Sequence, residues 1–401
     1  MTAPLQGIRV IDWTHVLAGP ACAYYLGLLG AEVIKVERPG RGDAIRHRGG
    51  TDRGRAAEGM STAYLTQAAG KQCLAVDLGT DTGRAVFHRL LASADVLVEN
   101  HRFETLKRLR LTESDTRALN PRLVHCAMTG YGRGNDMSDA PAYDVNIQAI
   151  SGLMALTGTQ DSGPIRTGAP VIDYATGLAG ALGVMSALMT RAASGTGSFV
   201  DVSMLETAFT LMSSTVTDHM LTGVEPSPRG NAANSRSPSA GVFPCKEGYI
   251  SLGVNEPTQF TALSQALDRS AWLRDPRFAT VEARGCHAEA LDQALSARLR
   301  DKDASTWEEV LMAARVPCAK LRKLGDAMHL PPVAQRHYKT RGAAGFPGLP
   351  FALDGIAHGS DVAPKRIGAD TNTILDGLGY SAEEISAMRA NGSVGGLSDD
   401  A

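Results

Sequence analysis

The sequence predicts an α/β protein: a Rossmann-like large domain built on a parallel sheet, with a smaller α+β domain. Three observations lead there. The N-terminus reads as strand, tight turn, helix, strand, which is a βαβ unit and implies parallel pairing. The same alternation of apolar runs and helical spacing returns further along. The chain has 401 residues, too long for one small domain.

Taken in order, IRVIDW (8–13) reads as a buried strand, AGPACAYYLGLLG (18–30) as a helix and AEVIKVE (31–37) as a second strand. LAVDL (74–78) is a strand, residues 81–94 have helical spacing, and DVLVEN (95–100) and RLVHCAMTGYG (122–132) are further strands. Residues 144–156 and 174–193 are expected to be helical, and FVDVSM (199–204) is a short strand. Gly, Pro, Ser and Asn cluster at 222–240, marking a linker or ordered loop. GVFPCKEGYISLGV then reads as a hairpin turning at Lys246–Gly248, followed by helices that include 287–299 and 304–315. The expected organisation is a large domain over 1–200, a linker helix at 201–225, a small domain over 226–325, and a return to the large domain over 326–401. The Gly-, Ser- and Asp-rich tail after Asn391 is expected to fray.

Composition narrows the function classes. Hydrophobic residues make up 43% and charged residues 20%, ordinary for a globular protein. A net charge of -2 does not suggest a nucleic-acid or membrane-surface protein. The six cysteines are scattered with no CxxC pair, so no zinc or redox motif is indicated and no metal or redox cofactor is expected. The N-terminal residues lack the basic stretch and apolar run of a signal peptide, and the apolar stretch GLAGALGVMSALM is short and Gly-rich for a membrane span. A cytoplasmic enzyme is expected.

Few residues announce chemistry by themselves. The first turn, DWTHVLAGP, is not GxGxxG, which argues against a nicotinamide enzyme, although a helix N-terminus there can direct backbone amides at a ligand. Asp173 precedes a long apolar helix. Its plain reading is an N-cap; the same position also suits an ionised carboxylate held for covalent catalysis, and local sequence leaves both open. Tyr143 reads as a half-buried aromatic or as a donor to an acyl oxygen, and Asp144 as a helix cap. The cations Lys35, Arg38, Arg41, Arg46, Arg48, Lys71, Lys107 and Arg108 are singly ordinary surface charges. Gathered at the strand ends of a parallel sheet they suit phosphates. His15 and His101 have no partner at metal or triad spacing.

The ordered series LQGIRVIDWTHVLAGPACAYYLGLLGAEVIKVERPGRGD, KQCLAVDL, DVLVENHRFETLKRL, LNPRLVHCAMTGYG, YDVNIQAISGLMALTG and GAPVIDYATGLAGALGVMSAL resembles the class III CoA-transferases. These are the formyl-CoA transferase-like, CaiB/BaiF proteins, a family that also contains α-methylacyl-CoA racemases. GVFPCKEGYISLGV and RVPCAKLRKLGDAM continue the match, which spans nearly the whole chain. The resemblance implies a large domain made from both chain ends and an interlocked homodimer. It implies Asp173 as the nucleophile that attacks an acyl-CoA thioester, giving an aspartyl acyl-anhydride, then an aspartyl-CoA thioester that hands CoA to an acceptor acid. It places coenzyme A contacts on His15, Val16, Ala18, Arg38, Lys71, Asn100, His101 and Arg108, with Arg38, Lys71 and Arg108 facing the ADP phosphates.

Departures from the formyl-CoA transferases shape the substrate expectation. Leu17 stands where those enzymes carry Gln, so a small polar acyl group loses its contact. The loop RGNAANSRSPSAG (229–241) lacks their run of glycines and is a different candidate lid. A C4 or C5 dicarboxylyl-CoA, for instance succinyl-CoA, fits better, with Arg46, Arg48 or Arg236 meeting the distal carboxylate. The alternative is a racemase. The racemases place a His before the Asp of the YDVNIQA-type segment, where this chain has Tyr143, and a phenol titrating near pH 10 (about 10) is a poor base. A non-catalytic acyl-CoA-binding protein is the third reading.

Overall fold

The computed structural model describes residues 3–336, 340–341, 344–357 and 359–395, so the outermost part of the expected frayed tail lies outside the described residues. The chain separates into two compact units, one of Met1–Leu153, Arg166–Val224 and Pro331–Ala401, the other of Met154–Ile165 and Glu225–Leu330. The short segment 154–165, which the sequence reading left in the large domain, groups with the second unit because Gly158–Thr159 and Gly163–Pro164 form a hairpin whose carbonyl at Gly158 accepts from the amide of Gly230 at 2.6 Å.

The first unit is organised by a seven-stranded sheet. Its strands are β1 (Arg9–Trp13), β2 (Glu32–Glu37), β3 (Gln72–Val76), β4 (Val96–Glu99), β5 (Val124–Thr129), β6 (Phe199–Ser203) and, from the far end of the chain, Val394–Gly395. The terminal pair lies antiparallel on β3, with Val394 opposite Val76, inside the segment expected to fray. The other six run parallel in the order β3-β2-β1-β4-β5-β6. Order therefore reverses beside β1: the chain builds outward to β3, then returns to add β4 on the opposite edge.

The apolar runs of these strands have a simple cause, for both faces are covered. Val10, Val33, Val96 and Val98 enter one core with helices α1 (Ala18–Leu28) and α5 (Val171–Ser194). Their neighbours Ile11, Ile34 and Leu97 enter a second core with α2 (Asp81–Ala92) and with Ile374, Leu375, Ile385 and Met388 from the C-terminal helices. Both chain ends thus build the large unit. Two more helices of the sheet's rim matter below, α3 (Phe103–Leu109) and α4 (Asp144–Ile150).

Helix α5 is 24 residues long and is long and apolar enough to cross a membrane by length and composition. Its small residues have a packing role instead. A Cβ on Gly177 would stand 2.9 Å from Ala21 Cβ and 3.1 Å from the Ala18 carbonyl, and one on Gly180 3.0 Å from Cys22 Sγ. Glycine is what lets α5 and α1 approach so closely. The expected linker helix at 201–225 is two helices, Met204–Leu211 and Ser213–Thr222, after the end of β6.

The second unit has an antiparallel sheet of Ala240–Pro244, Tyr249–Gly253 and Cys318–Lys320, with the hairpin pairing Tyr249 to Pro244 across the expected turn. Helices Pro257–Ala266, Ala288–Leu299 and Ala304–Ala313 cover it around Trp307, which is fully buried and donates from its indole to the Leu299 carbonyl at 2.7 Å.

Candidate active site

A parallel sheet leaves a crevice where its strand order reverses, outside the carboxyl ends of the two diverging strands. Here those strands are β1 and β4, and the turns that follow them, Thr14–Leu17 and Asn100–Arg102, are tied together. The Asn100 side chain accepts from the His15 amide and donates to the His15 carbonyl, both at 2.9 Å.

The β1 turn is strained. Val16 has φ 70°, a left-handed conformation that costs a β-branched residue about 1–3 kcal/mol. Its surroundings fix it there. The Val16 amide donates to both carboxylate oxygens of Asp43 at 3.2 Å, and the Gln67 side-chain amide donates to the Val16 carbonyl at 2.8 Å. Leu17 then occupies the N-cap position of α1 without a capping side chain. Two residues on, a Cβ at Gly19 would meet Thr14 at 2.6 Å, so only glycine lets the helix start there.

Asp173 enters from α5. It is the third residue of that helix rather than its cap. The N-cap position is Pro170, whose ring has no acceptor to offer. The capping carboxylate is Asp144, at the start of α4, which accepts from the amides of Ile172 at 2.8 Å and Asp173 at 3.2 Å. Gln148 completes the arrangement, donating to Asp144 at 2.6 Å and accepting from the Thr167 amide at 2.9 Å. Since Asp144 takes over the capping, the Asp173 carboxylate is left without a hydrogen bond from any described donor. Burial, with the Asp144 charge beside it, pushes the Asp173 carboxyl up to about 7. Its carboxyl is thereby poised near neutral pH.

Asp173 lines a cavity of about 260 Å³ with Val16, Leu17, Ala18, Tyr143 and Met204. Among the described residues, Arg102 is the one Lys or Arg that lines it with Asp173, and the sequence gives it no mark. Tyr143 is 59% exposed there, not half-buried. His15 and His101 also line a second cavity, of about 710 Å³, beyond the ends of β1, β2 and β3. Three arginines stand around it, Arg38, Arg84 and Arg108; Arg84 was not foreseen, because in sequence it is one more cation on an amphipathic helix. Arg38 is largely exposed and lies 3.4 Å from Asp77. His101 is stacked on Trp13 with ring centroids 3.8 Å apart, and burial, then the neighbouring His15, holds its imidazole down at about 4. It is neutral at physiological pH.

Two expected ligand cations are placed elsewhere. Lys71 is buried, its ammonium donating to Asp12 at 2.7 Å and to the Pro20 carbonyl at 2.8 Å. Arg46 is buried as well, bidentate to Glu37 at 2.7 and 2.6 Å and bonded to the Tyr64 hydroxyl. Neither lines a cavity named above; each charge is consumed by a partner beneath the site, since an unpaired ion there is costly. Lys35 belongs to the same layer, 3.3 Å from Asp43. Arg48 closes the short turn Ala44–His47 and is exposed outside both cavities. Arg236 belongs to the second unit, in the 229–241 loop, where it borders a separate cavity with Phe243, Glu289 and Asp292. Among the described residues no three His, Cys, Asp or Glu side chains group as a metal site.

The model of "CoA-transferase family III" matches residues 5–371. Succinyl-CoA:glutarate CoA-transferase of Mus musculus is 30% identical over 396 residues, 97% of this chain and 90% of that protein. Succinate–glutarate CoA-transferase of Agrobacterium fabrum is 35% identical over 295 residues, 73% of this chain and 74% of that protein. A crystal structure of a CAIB/BAIF family protein from Brucella suis superposes with a TM-score of 0.84 at 27% identity, covering 94% of this chain and all of that one.

Proposed function

Because the chain belongs to CoA-transferase family III, we propose that it moves coenzyme A from a dicarboxylyl-CoA, succinyl-CoA among them, to a second carboxylic acid, with Asp173 as covalent nucleophile. The observation that carries this reading is the Asp173 carboxylate itself: cavity-lining, relieved of capping by Asp144, and unbonded by any described donor. A carboxylate stripped of hydrogen bonds keeps its lone pairs for attack, and the N-terminal turn of α5 offsets part of its charge.

The steps balance without an external base. Asp173 attacks the thioester carbon; the C–S bond breaks and the thiolate leaves, giving an aspartyl acyl-anhydride. The thiolate attacks the aspartyl carbonyl, the donor acid departs as carboxylate, and an aspartyl-CoA thioester remains. The acceptor carboxylate then repeats the sequence in reverse, regenerating Asp173 and releasing the new acyl-CoA. Each tetrahedral step develops an oxyanion. We assign its stabilisation to the uncapped first turn of α1, whose residue Ala18 lines the same cavity.

Coenzyme A is assigned to the two cavities joined at His15 and His101. Its phosphates go to Arg38 and Arg108, with Arg84 added, and its thioester end goes to Val16, Ala18, Asn100 and Asp173. Lys71 supports that surface from beneath through Asp12 rather than touching phosphate. Arg102, the cation of the Asp173 cavity, takes the role that the sequence reading gave to Arg46, that of meeting a distal carboxylate. Leu17 and the relatives named for succinate and glutarate favour the same substrate class. Tyr143 is kept as a contact to the acyl oxygen. The second substrate partner is a small carboxylic acid, and the oligomer an interlocked homodimer in the cytoplasm.

The test is a transfer assay: succinyl-, glutaryl-, acetyl- and formyl-CoA are each offered with a panel of free acids, and product thioesters are resolved by chromatography. Dicarboxylyl donors are expected to give the highest kcat/KM, and Asp173→Ala no transfer. Formyl-CoA as the preferred donor contradicts the substrate assignment. Deuterium entering the α-carbon without transfer contradicts the reaction class and favours racemisation.

A further inference from the structure

We propose that Asp43 is a positioning residue for this reaction: it holds Val16 in its left-handed conformation and so fixes the turn that lines the cavity together with Asp173. The inference rests on the transferase reading for what the turn is for, but on geometry alone for how it is held.

Asp43 is fully buried and is not among the residues lining either cavity, so any influence on substrate passes through another residue. Val16 does line the Asp173 cavity, together with Leu17 and Ala18, which follow it into α1. The Asp43 carboxylate spends both oxygens on the Val16 amide at 3.2 Å and one on Ile45 at 3.1 Å. It faces the Lys35 ammonium at 3.3 Å and the His15 ring at 3.8 Å. Lys35 also donates to the Thr14 carbonyl at 3.0 Å, so one buried ion pair grips the turn at the Val16 amide and two residues before it, while Gln67 holds the Val16 carbonyl. Asp43 is itself located by its own amide, which donates to Glu37 at 2.9 Å, and Glu37 is locked by Arg46. A valine freed from these contacts relaxes toward negative φ, where β-branched residues are stable, and the amides after it move.

A carboxamide in place of Asp43 keeps the shape but turns one acceptor into a donor facing other donors, the Val16 amide and the Lys35 ammonium. A glycine in place of Val16 adopts positive φ without strain and needs no clamp. The two substitutions therefore interact if the proposal holds. The experiment is a double-mutant cycle of Asp43→Asn and Val16→Gly in the full-length protein. It is read by kcat and KM for acyl-CoA transfer, and by amide hydrogen exchange across residues 14–18 of the free protein. Asp43→Asn is expected to lower kcat about 100-fold, as a roughly ångström misplacement does, with little change in KM. It is also expected to speed exchange in the turn. In the Val16→Gly background the same substitution is expected to cost at least about tenfold less. If Asp43→Asn does not fold, Asp43→Glu, which keeps the buried charge but displaces it, enters the cycle instead.

Equal losses in the two backgrounds, or a loss confined to KM, overturn the proposal. If the wild-type protein transfers CoA from no donor, the transferase reading fails by that result alone. Hydrogen exchange still decides the clamp: unchanged protection of residues 14–18 in the Asp43 variant sinks it.

Discussion

At the residue scale, the proposed chemistry turns on one carboxyl, Asp173, whose environment raises its affinity for a proton. Asp173 must be ionised to attack, so the reaction is expected to accelerate as pH rises through about 7, the value to which burial and Asp144 bring it. A pH profile of single-turnover acylation checks this; a rate flat between pH 5 and 8 contradicts it. Stability runs the other way. A carboxyl whose folded pKa lies above its unfolded one stabilises the protein fully below the unfolded value, and that contribution is lost as pH rises through the folded value. Asp173→Asn is therefore expected to be inactive yet to melt higher than wild type at pH 8, with the difference vanishing near pH 4. Thermal scans at the two pH values measure it. Arg102 gives a second residue-scale prediction. Arg102→Ala is expected to lower kcat/KM for succinyl-CoA about tenfold or more while leaving acetyl-CoA within about threefold, a charged hydrogen bond being worth about 1.5–3 kcal/mol. Equal losses for both donors contradict its assignment to a distal carboxylate.

At the scale of elements, the site is a meeting of helix starts. α1 begins uncapped beside the cavity, and α5 begins with a cap borrowed from Asp144, 28 residues upstream. Their separation is set by Gly177 and Gly180. For Gly177→Ala two effects compete. Alanine gains about 1 kcal/mol in helix propensity, but its methyl falls 2.9 Å from Ala21 Cβ and 3.1 Å from a backbone carbonyl, neither of which can swing aside. Overpacking of this kind costs about 1–3 kcal/mol. The net expectation is a lower melting temperature, together with reduced kcat because α5 carries Asp173. A melting temperature at or above wild type contradicts the close-approach account. The same pair shows the limit of sequence reading. The strands and α5 were legible because apolar runs and helical spacing are local signals. The capping of α5 was not, because Asp144 and Ile172 are neighbours only after folding. Likewise Lys71 reads as a phosphate ligand in sequence and proves to be a partner of Asp12, 59 positions away. The strain at Val16 was invisible for a different reason: β-branched residues favour extended backbone, so composition argued against a left-handed turn there.

At the scale of the whole molecule, the parallel order β3-β2-β1-β4-β5-β6 explains why residues scattered from His15 to Asp173 line one cavity: they converge on the crevice beside β1 and β4. The large unit also leaves apolar side chains in water. Leu182 and Met189 of α5 are 69% and 76% exposed, and Met220 and Leu221, in the helix Ser213–Thr222, are 79% and 81% exposed. Large apolar side chains this exposed suit an interaction surface, and a second copy of the chain is the occupant we propose. Sedimentation of the wild type is expected to give a dimer, and Leu182→Glu with Met220→Glu a smaller species or a poorly soluble one. A soluble, active wild-type monomer contradicts the dimer.

The central claim is that Asp173 becomes covalently acylated, and intact-protein mass spectrometry tests it most directly. The protein is incubated with each acyl-CoA, trapped with hydroxylamine or borohydride, and mapped by peptide. The account predicts an adduct on the peptide bearing Asp173 with a dicarboxylyl-CoA, absent from Asp173→Ala. No adduct with any ester, from protein that nonetheless exchanges the α-proton of its substrate, contradicts it.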